Sequence, residues 1–225
     1  MDNKFLRSDL VKVTEYGHLW MKEDFQLWFR GKAPHKDKKM ETILARIGNG
    51  TRNRLRVLTY PGTKKFVYAL PRYAKNVDPD DDAYFYHETH CTKCLVRYRL
   101  TDPTCEVFPQ KDFKGYHSVP DWAAKYQNGL ILLGEFSSRR DTVRALQHKL
   151  ATYPKTLPKI ERDFKAEAVV VFILDVERWK VLDKVQKFKP NGPFRFIDAK
   201  SFFDADVNAA FDAPYIYPDG SVGTL

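Results

Sequence analysis

The fold is decided by residues 118–153, SVPDWAAKYQNGLILLGEFSSRRDTVRALQHKLATY. The pair Asn128-Gly129 is a strong hairpin-turn signal, so neighbouring strands are predicted on either side of it, over 117–126 and 130–136. The second strand is a nearly continuous apolar run, which is typical of a strand buried on both faces. A helix is predicted to follow over 140–153. Together these elements predict a sheet with a helix packed against it.

Two acidic residues lie at the ends of the predicted strands, Asp121 on the first and Glu135 on the second. The hairpin brings their carboxylates together, and the helix that follows carries Lys149. Hard cations such as Mg²⁺ prefer oxygen ligands and keep several waters, so two carboxylates are enough protein for a site. The alternative is ordinary: an Asp in a turn and a solvated Glu at a strand end. Spacing alone leaves both interpretations open.

The positive charge of the chain is concentrated in its first third. The 225 residues carry a net charge of +9, and residues 1–75 hold 17 Lys and Arg against 7 Asp and Glu, a balance of +10. The remaining 150 residues hold 21 basic and 22 acidic side chains. A basic module of this kind is typical of nucleic-acid binding, because neutralised phosphates supply most of the non-specific affinity. A merely solubilising basic surface is the alternative.

The first third is predicted to contain three short helices and a hairpin. The helices are expected over 8–16, 22–29 and 36–47, and the hairpin strands over 54–60 and 65–70. Apolar residues of the third helix follow the i, i+3, i+4, i+7 pattern of a buried stripe. That stripe consists of Met40, Ile43, Leu44 and Ile47.

Three short helices followed by a two-stranded hairpin resemble a winged helix-turn-helix. In that family the third helix enters the major groove of double-stranded DNA and the wing touches the backbone. The resemblance implies DNA contacts from the third helix and from the wing tip, although winged helices also serve for protein contact. The implied DNA-binding residues are His35, Lys36, Lys38, Lys39, Thr42 and Arg46 on the helix, and Lys64 and Lys65 on the wing.

A cluster of histidines and cysteines follows the acidic segment 76–82, which we predict to be a linker between a DNA-binding domain over 1–75 and a second domain over 83–200. The predicted helix 83–100 carries the cluster. Cys-x-x-Cys near histidine suggests Zn²⁺, but small cysteines that pack a helix on a sheet explain the spacing better. Packing is therefore the favoured interpretation, and a structural zinc site at these residues is the less favoured alternative. The cluster is His87, His90, Cys91 and Cys94, with Cys105 beyond it.

The second domain is predicted to be a mixed sheet flanked by helices, in an α/β (α+β) chain. Besides the hairpin strands and the helix 140–153, strands are expected over 105–109, 168–174 and 194–197, with a helix over 175–187. The order is therefore helix, three strands, helix, strand, helix, strand. Residues 201–225 are expected to form an irregular C-terminal tail.

That order, with Pro-Asp on the second strand and Glu on the third, resembles the PD-(D/E)xK nuclease superfamily, the fold of restriction endonucleases. The winged helix together with VPD, GEF and KLATY is most similar to the replication-relaxation family of plasmids and mobile elements. The resemblance implies that Asp121 and Glu135 bind Mg²⁺ and that Glu106 is a helper acid. Ser137 stands where an active nuclease has its lysine, and serine offers no cation to stabilise phosphate charge.

Lys149, on the following helix, could replace the missing lysine, and Arg139 and Arg140 could contact phosphate instead. Whether the chain is an active Mg²⁺-dependent endonuclease therefore stays open. One hypothesis is a DNA-binding protein of a plasmid, phage or other mobile element that acts in DNA replication or processing and nicks DNA. The alternative is a non-catalytic replication accessory factor or transcriptional regulator, with a degenerate nuclease domain used for dimerisation or partner binding.

Membrane insertion is not expected, because no apolar run approaches the roughly 20 residues that span a bilayer. The first residues, MDNKFLRSD, lack a signal-peptide hydrophobic region, so we expect a cytoplasmic protein. The expected partners are double-stranded DNA, a second copy of the chain in a homodimer, and replication or mobilisation proteins.

Overall fold

The computed structural model describes residues 4–5, 7–34, 39–49, 55–138, 141–175, 192–206 and 210–225. It divides the chain into two units, Met1–Val96 and Arg97–Leu225. The division falls inside a helix, whereas the sequence predicts a linker over 76–82. The two units are described separately below.

The first unit contains short helices and a small antiparallel sheet. Its described helices before residue 75 are α1 (Arg7–Val13), α2 (Lys22–Trp28), α3 (Met40–Asn49) and α4 (Pro71–Ala74). Its strands are β1 (Lys4–Phe5), β2 (Trp20–Met21), β3 (Ala33–Pro34), β4 (Arg56–Thr59) and β5 (Phe66–Ala69). Strands β2, β5 and β4 pair antiparallel in that order, and β1 pairs with β3 in parallel. The predicted helices and hairpin of this region are present.

The helices of the first unit are amphipathic in the way that the sequence predicts. The stripe of α3 is buried, with Leu44 and Ile47 almost completely inaccessible. Helix α2 begins with a capping box, in which the Asp24 carboxylate accepts the Met21 backbone N–H at 2.8 Å. A second cluster of apolar side chains packs beneath the hairpin and includes Phe85 of the following helix. Burial of these side chains supplies the main driving force for folding of the unit.

The second unit is built on a sheet whose described strands run in the order β12-β11-β10-β9-β8-β7-β6. Strands β6, β7 and β8 are antiparallel neighbours, β8, β9 and β10 are parallel, and β11 and β12 return antiparallel. The strands are β6 (Glu106–Phe108), β7 (Trp122–Lys125), β8 (Leu130–Ser137), β9 (Glu167–Leu174), β10 (Phe194–Asp198), β11 (Tyr215–Ile216) and β12 (Val222–Gly223). The helices are α5 (Asp82–Thr101), which runs through the division between the units, α6 (Val143–Phe164) and α7 (Ala199–Asp204).

Both faces of this sheet are covered. On one face, residues of α6 pack on β8 and β9 in a continuous apolar core. On the other face, the Trp122 ring stacks on Tyr98 of α5, with centroids 4.7 Å apart. Gly134 lies beneath that ring, since a Cβ added there would lie 1.7 Å from it. Coverage of both faces explains why β8 and β9 are continuous apolar runs.

Three predictions about the second unit need correction or lie outside the described residues. Helix α6 runs to Phe164, past the predicted end at 153, and contains Pro154 and Pro158. Proline normally ends a helix, but burial of Tyr153, Leu157 and Ile160 favours continuation here. The predicted irregular tail 201–225 contains the end of α7 and strands β11 and β12, so the sheet is wider than expected. The predicted helix 175–187 lies mostly outside the described residues.

Among the described residues, no helix combines the length and the apolar character that a membrane-spanning helix needs.

Candidate functional site

The register of the β7–β8 hairpin places Asp121 and Glu135 opposite each other. Trp122 pairs with Gly134 in this antiparallel ladder, and the Asp121 backbone N–H donates to the Gly134 carbonyl at 2.9 Å. The next residues outward, 121 and 135, therefore face one another on the same side of the sheet. The Asp121 carboxylate also accepts the Phe136 backbone N–H at 2.8 Å, which fixes its orientation. The predicted pairing of the two acids is present.

Glu135 is held by two donors from one face of α6. The side chain is only 1% exposed. The Lys149 ammonium donates to Oε2 and the Tyr153 hydroxyl donates to Oε1. Lys149 and Tyr153 are four residues apart, which places them on the same face of the helix. Both oxygens of the buried carboxylate therefore have partners, one charged and one neutral.

The Glu135 environment disfavours a negative charge. Burial and the neighbouring Asp121 carboxylate raise the pKa of Glu135 to about 8, and the donors from Lys149 and Tyr153 offset this only in part. Both carboxylate oxygens nevertheless accept from donors, Lys149 and Tyr153, so the contacts of Glu135 are those of its ionised form. Perturbed carboxyl groups that face a second acid and a lysine are typical of functional sites.

Lys149 carries its positive charge firmly. Burial disfavours the ammonium, but the attraction of Glu135, Asp121 and Asp141 outweighs it and raises the pKa of Lys149 above its ordinary value. The Lys149 side chain remains one-third exposed. Its charged end is therefore in contact with Glu135 while part of the side chain is open to solvent.

The chemistry of this group of side chains fits a divalent cation. Asp121 and Glu135 supply hard oxygen atoms from adjacent strands, the donor type that Mg²⁺ prefers. The Lys149 ammonium already places a positive charge against Glu135, where a metal ion would place one. A narrow cavity of about 10 Å³ beside it is lined by Glu135, Asp141 and Lys149, which is about the volume of a single water. We call Asp121, Glu135, Lys149 and Tyr153 the carboxylate cluster.

Two other residues that the sequence predicts for this site, Glu106 and Ser137, lie outside the carboxylate cluster. Glu106 pairs with Lys125 at the far end of β7, four residues from Asp121. At about 3.3 Å per residue this is about 13 Å away, so the expected helper acid is not in the cluster. Ser137 is buried and lines the narrow cavity. Arg139 and Arg140 lie outside the described residues.

Two residues near the cluster were not predicted as site residues from the sequence. Tyr153 lies four residues after Lys149, and this spacing places both side chains on one face of the helix. Asp141 precedes the N-cap of α6, accepts the Ser138 backbone N–H at 2.9 Å and lines the cavity. The Tyr153 spacing was a usable signal, but the Asp141 position depends on the path of the loop before α6.

The predicted DNA-binding residues of the first unit are exposed where the structure describes them. Thr42 and Arg46 lie on the exposed face of α3, and Lys39, which directly precedes the helix, is also exposed. Lys64 and Lys65 lie at the turn between β4 and β5. The predicted residues His35, Lys36 and Lys38 lie outside the described residues.

The exposed surface of the hairpin is not uniformly basic. Its strand β5 also carries Phe66, which is 56% exposed. A groove of about 730 Å³ beside the hairpin is lined by Lys64 and by Asp80 of the acidic segment. The tip of the β4–β5 hairpin therefore combines positive charge, an exposed aromatic ring and a nearby carboxylate.

The histidine and cysteine side chains of α5 lie close to one another and to the helix backbone. His87 Nε2 lies 3.5 Å from Cys91 Sγ, and His90 Nδ1 donates to the Tyr86 carbonyl at 2.7 Å. Cys94 is fully buried. Burial raises the pKa of the Cys105 thiol to about 11.

Comparison with known proteins finds no matching family model, no matching curated protein and no matching solved structure. The functional interpretation therefore depends on the geometry of the chain itself.

Proposed function

We propose that this protein binds double-stranded DNA through its first unit and cleaves or nicks a DNA strand with Mg²⁺ at the carboxylate cluster. The observation that carries the proposal is the register of β7 and β8, which sets Asp121 opposite Glu135 while Lys149 contacts Glu135. Such a protein would act in the replication or processing of a plasmid, phage or other mobile element, as the resemblance to the replication-relaxation family implies.

The element order of the second unit supports a nuclease-like fold. An antiparallel meander β6-β7-β8, a helix and a parallel strand β9 follow α5. This is the order expected from the PD-(D/E)xK resemblance. The cation that Ser137 does not supply comes instead from Lys149, one helix later.

The roles of the side chains follow from their chemistry. Asp121 and Glu135 would hold Mg²⁺, which supplies Lewis acidity and lowers the pKa of bound water when present. The Lys149 ammonium would stabilise the negative charge that develops on the phosphate. The Tyr153 hydroxyl fixes the orientation of the Glu135 carboxylate, so that its other oxygen faces Lys149.

DNA binding by the first unit is supported by its charge and its element order. Helices α1, α2 and α3 precede a hairpin whose second strand lies between β2 and β4, which is the arrangement expected of a winged helix-turn-helix. The exposed face of α3 then carries Thr42 and Arg46 towards a DNA groove, with Lys39 directly before the helix, and Lys64 and Lys65 meet phosphates. Salt should weaken binding steeply, because phosphate contacts release counterions.

The cleavage assay uses supercoiled plasmid, the full chain and Mg²⁺. Asp121→Asn should abolish nicking, since it removes a metal-ligand charge while keeping the shape of the side chain. Glu106→Gln is the matched control, an acid of the same sheet that lies away from the cluster, and it should nick like the wild type. Equal nicking by wild type and Asp121→Asn would refute cleavage at this site.

A second function is favoured by the engagement of Glu135. Both of its oxygens already have partners in the chain, which also suits a DNA-binding replication accessory factor or regulator that has lost catalysis. In that case, the full chain would bind duplex DNA in a fluorescence anisotropy assay, and Arg46→Gln would weaken binding. No preparation would then show Mg²⁺-dependent nicking.

A further inference from the structure

We propose that the Lys149 ammonium occupies the cation position beside Glu135, so that a divalent metal must displace it in order to bind. The inference rests on the proposed metal site and adds a property to it, which is competition between a cation of the chain and a cation from solution. Lys149 would then take two successive positions, against Glu135 before the metal binds and facing the phosphate afterwards.

The contacts of Glu135 are consistent with a resident cation. One oxygen is fixed by the neutral Tyr153 hydroxyl and the other by the charged Lys149 ammonium. The same ammonium interacts with Asp121, the other proposed metal ligand, and with Asp141. Lys149 thus balances the carboxylates that a metal would balance.

The Lys149 side chain can leave this position. It is one-third exposed, whereas Glu135 is 1% exposed. A flexible four-carbon side chain can move its ammonium into solvent, but the buried carboxylate cannot follow. Two cations within about 4 Å of each other repel strongly at a partly buried site, so metal binding would drive the ammonium outward. It would then be free to pair with the phosphate of a bound strand.

The decisive measurement is the affinity of the full chain for Mn²⁺ alone, by isothermal titration calorimetry without DNA. Lys149→Gln removes the competing charge and should lower the Mn²⁺ Kd by about tenfold or more. Lys149→Arg keeps the charge and should bind Mn²⁺ as weakly as the wild type. Tyr153→Phe removes the neutral donor to the same carboxylate, so it should not tighten binding. Circular dichroism melting curves establish that each variant is folded.

A second readout follows the amine itself. Acetylation of Lys149 by a soluble reagent, quantified by mass spectrometry, should become faster when Mn²⁺ is added to the wild type. Lys22, on the first unit, is an exposed control whose labelling rate should not change.

The outcomes separate this inference from the proposed function. Binding of Mn²⁺ by wild type and Lys149→Gln with the same Kd would overturn the competition while leaving the metal site intact, and so would an unchanged labelling rate of Lys149. Absence of Mn²⁺ binding in every variant would overturn the metal site and the competition together. Tight binding by Lys149→Gln with weak binding by the wild type supports both.

Discussion

Asp24 in the first unit and Glu135 in the second are both buried acids, and burial raises the pKa of each, to about 7 and about 8 respectively. Their partners differ. Asp24 accepts the Met21 backbone N–H and caps helix α2. Glu135 faces the carboxylate of Asp121 and the ammonium of Lys149.

The difference shows that a perturbed pKa does not by itself identify a functional site. A backbone donor needs only one acceptor, and the capping box uses Asp24 for that purpose. A second carboxylate beside a buried acid is costly, because like charges repel at short distance, and the Lys149 ammonium offsets part of that cost. The charged groups that surround a buried acid, rather than its pKa alone, therefore indicate a functional site.

The largest expected effect is a difference in DNA nicking between a Glu135 variant and an Asp24 variant. Glu135→Gln should lower Mg²⁺-dependent nicking by about 100-fold or more, because the amide cannot supply a charged metal ligand. Asp24→Asn should nick at the wild-type rate per folded molecule, since its carboxylate only caps a helix. Plasmid nicking, normalised to the folded fraction from circular dichroism, measures both. Equal losses in the two variants would show that the contrast between the acids is false.

The next effect concerns the packing of strand β8, which carries Glu135, and alters neither acid. Gly134→Ala adds a Cβ that would lie 1.7 Å from the Trp122 ring, and such overpacking costs about 3 kcal/mol. The free energy of unfolding from urea titration should fall accordingly. Combining Gly134→Ala with Trp122→Phe should recover part of the loss, because the smaller ring leaves more space. A Gly134→Ala protein as stable as wild type would contradict the close approach of strand and ring.

The last effect concerns pH and is the smallest within any one pH unit. The folded pKa of Asp24, about 7, is above its unfolded value of 3.8, so the folded chain holds the proton more firmly. The stability that Asp24 contributes is therefore present below about pH 4 and is lost as the pH rises through 7. Relative to Asp24→Asn, the wild type should lose about 1.4 kcal/mol for each pH unit within that window. Urea titrations of both proteins from pH 4 to 8 check the slope, and parallel curves would contradict a buried Asp24.

Much of the fold was accessible from the sequence where the pattern was local. Asn128-Gly129 predicted the hairpin, and with it the pairing of Asp121 and Glu135. The continuous apolar runs predicted β8 and β9, because strands covered on both faces contain few polar residues.

The errors arose where distant contacts decided the outcome. Pro154 is a local signal for a helix end, but α6 continues past it because its apolar side chains pack on the sheet. Glu106 had the right residue type, yet strand register places it at the other end of β7. The widening of the sheet by β11 and β12 could not be predicted, since two-residue strands leave almost no periodic pattern.

The turn over 126–129 has a consequence for how this sequence can change over generations. Tyr126 N–H donates to the Leu130 carbonyl at 2.8 Å, which closes the hairpin and fixes the count of residues between the strands. One inserted residue there would move one of the two acids to the opposite side of the sheet. Two inserted residues would restore the side but shift the partner along the strand by about 7 Å. Selection on the cluster would therefore act on the length of this short loop, and insertions would accumulate elsewhere in the chain.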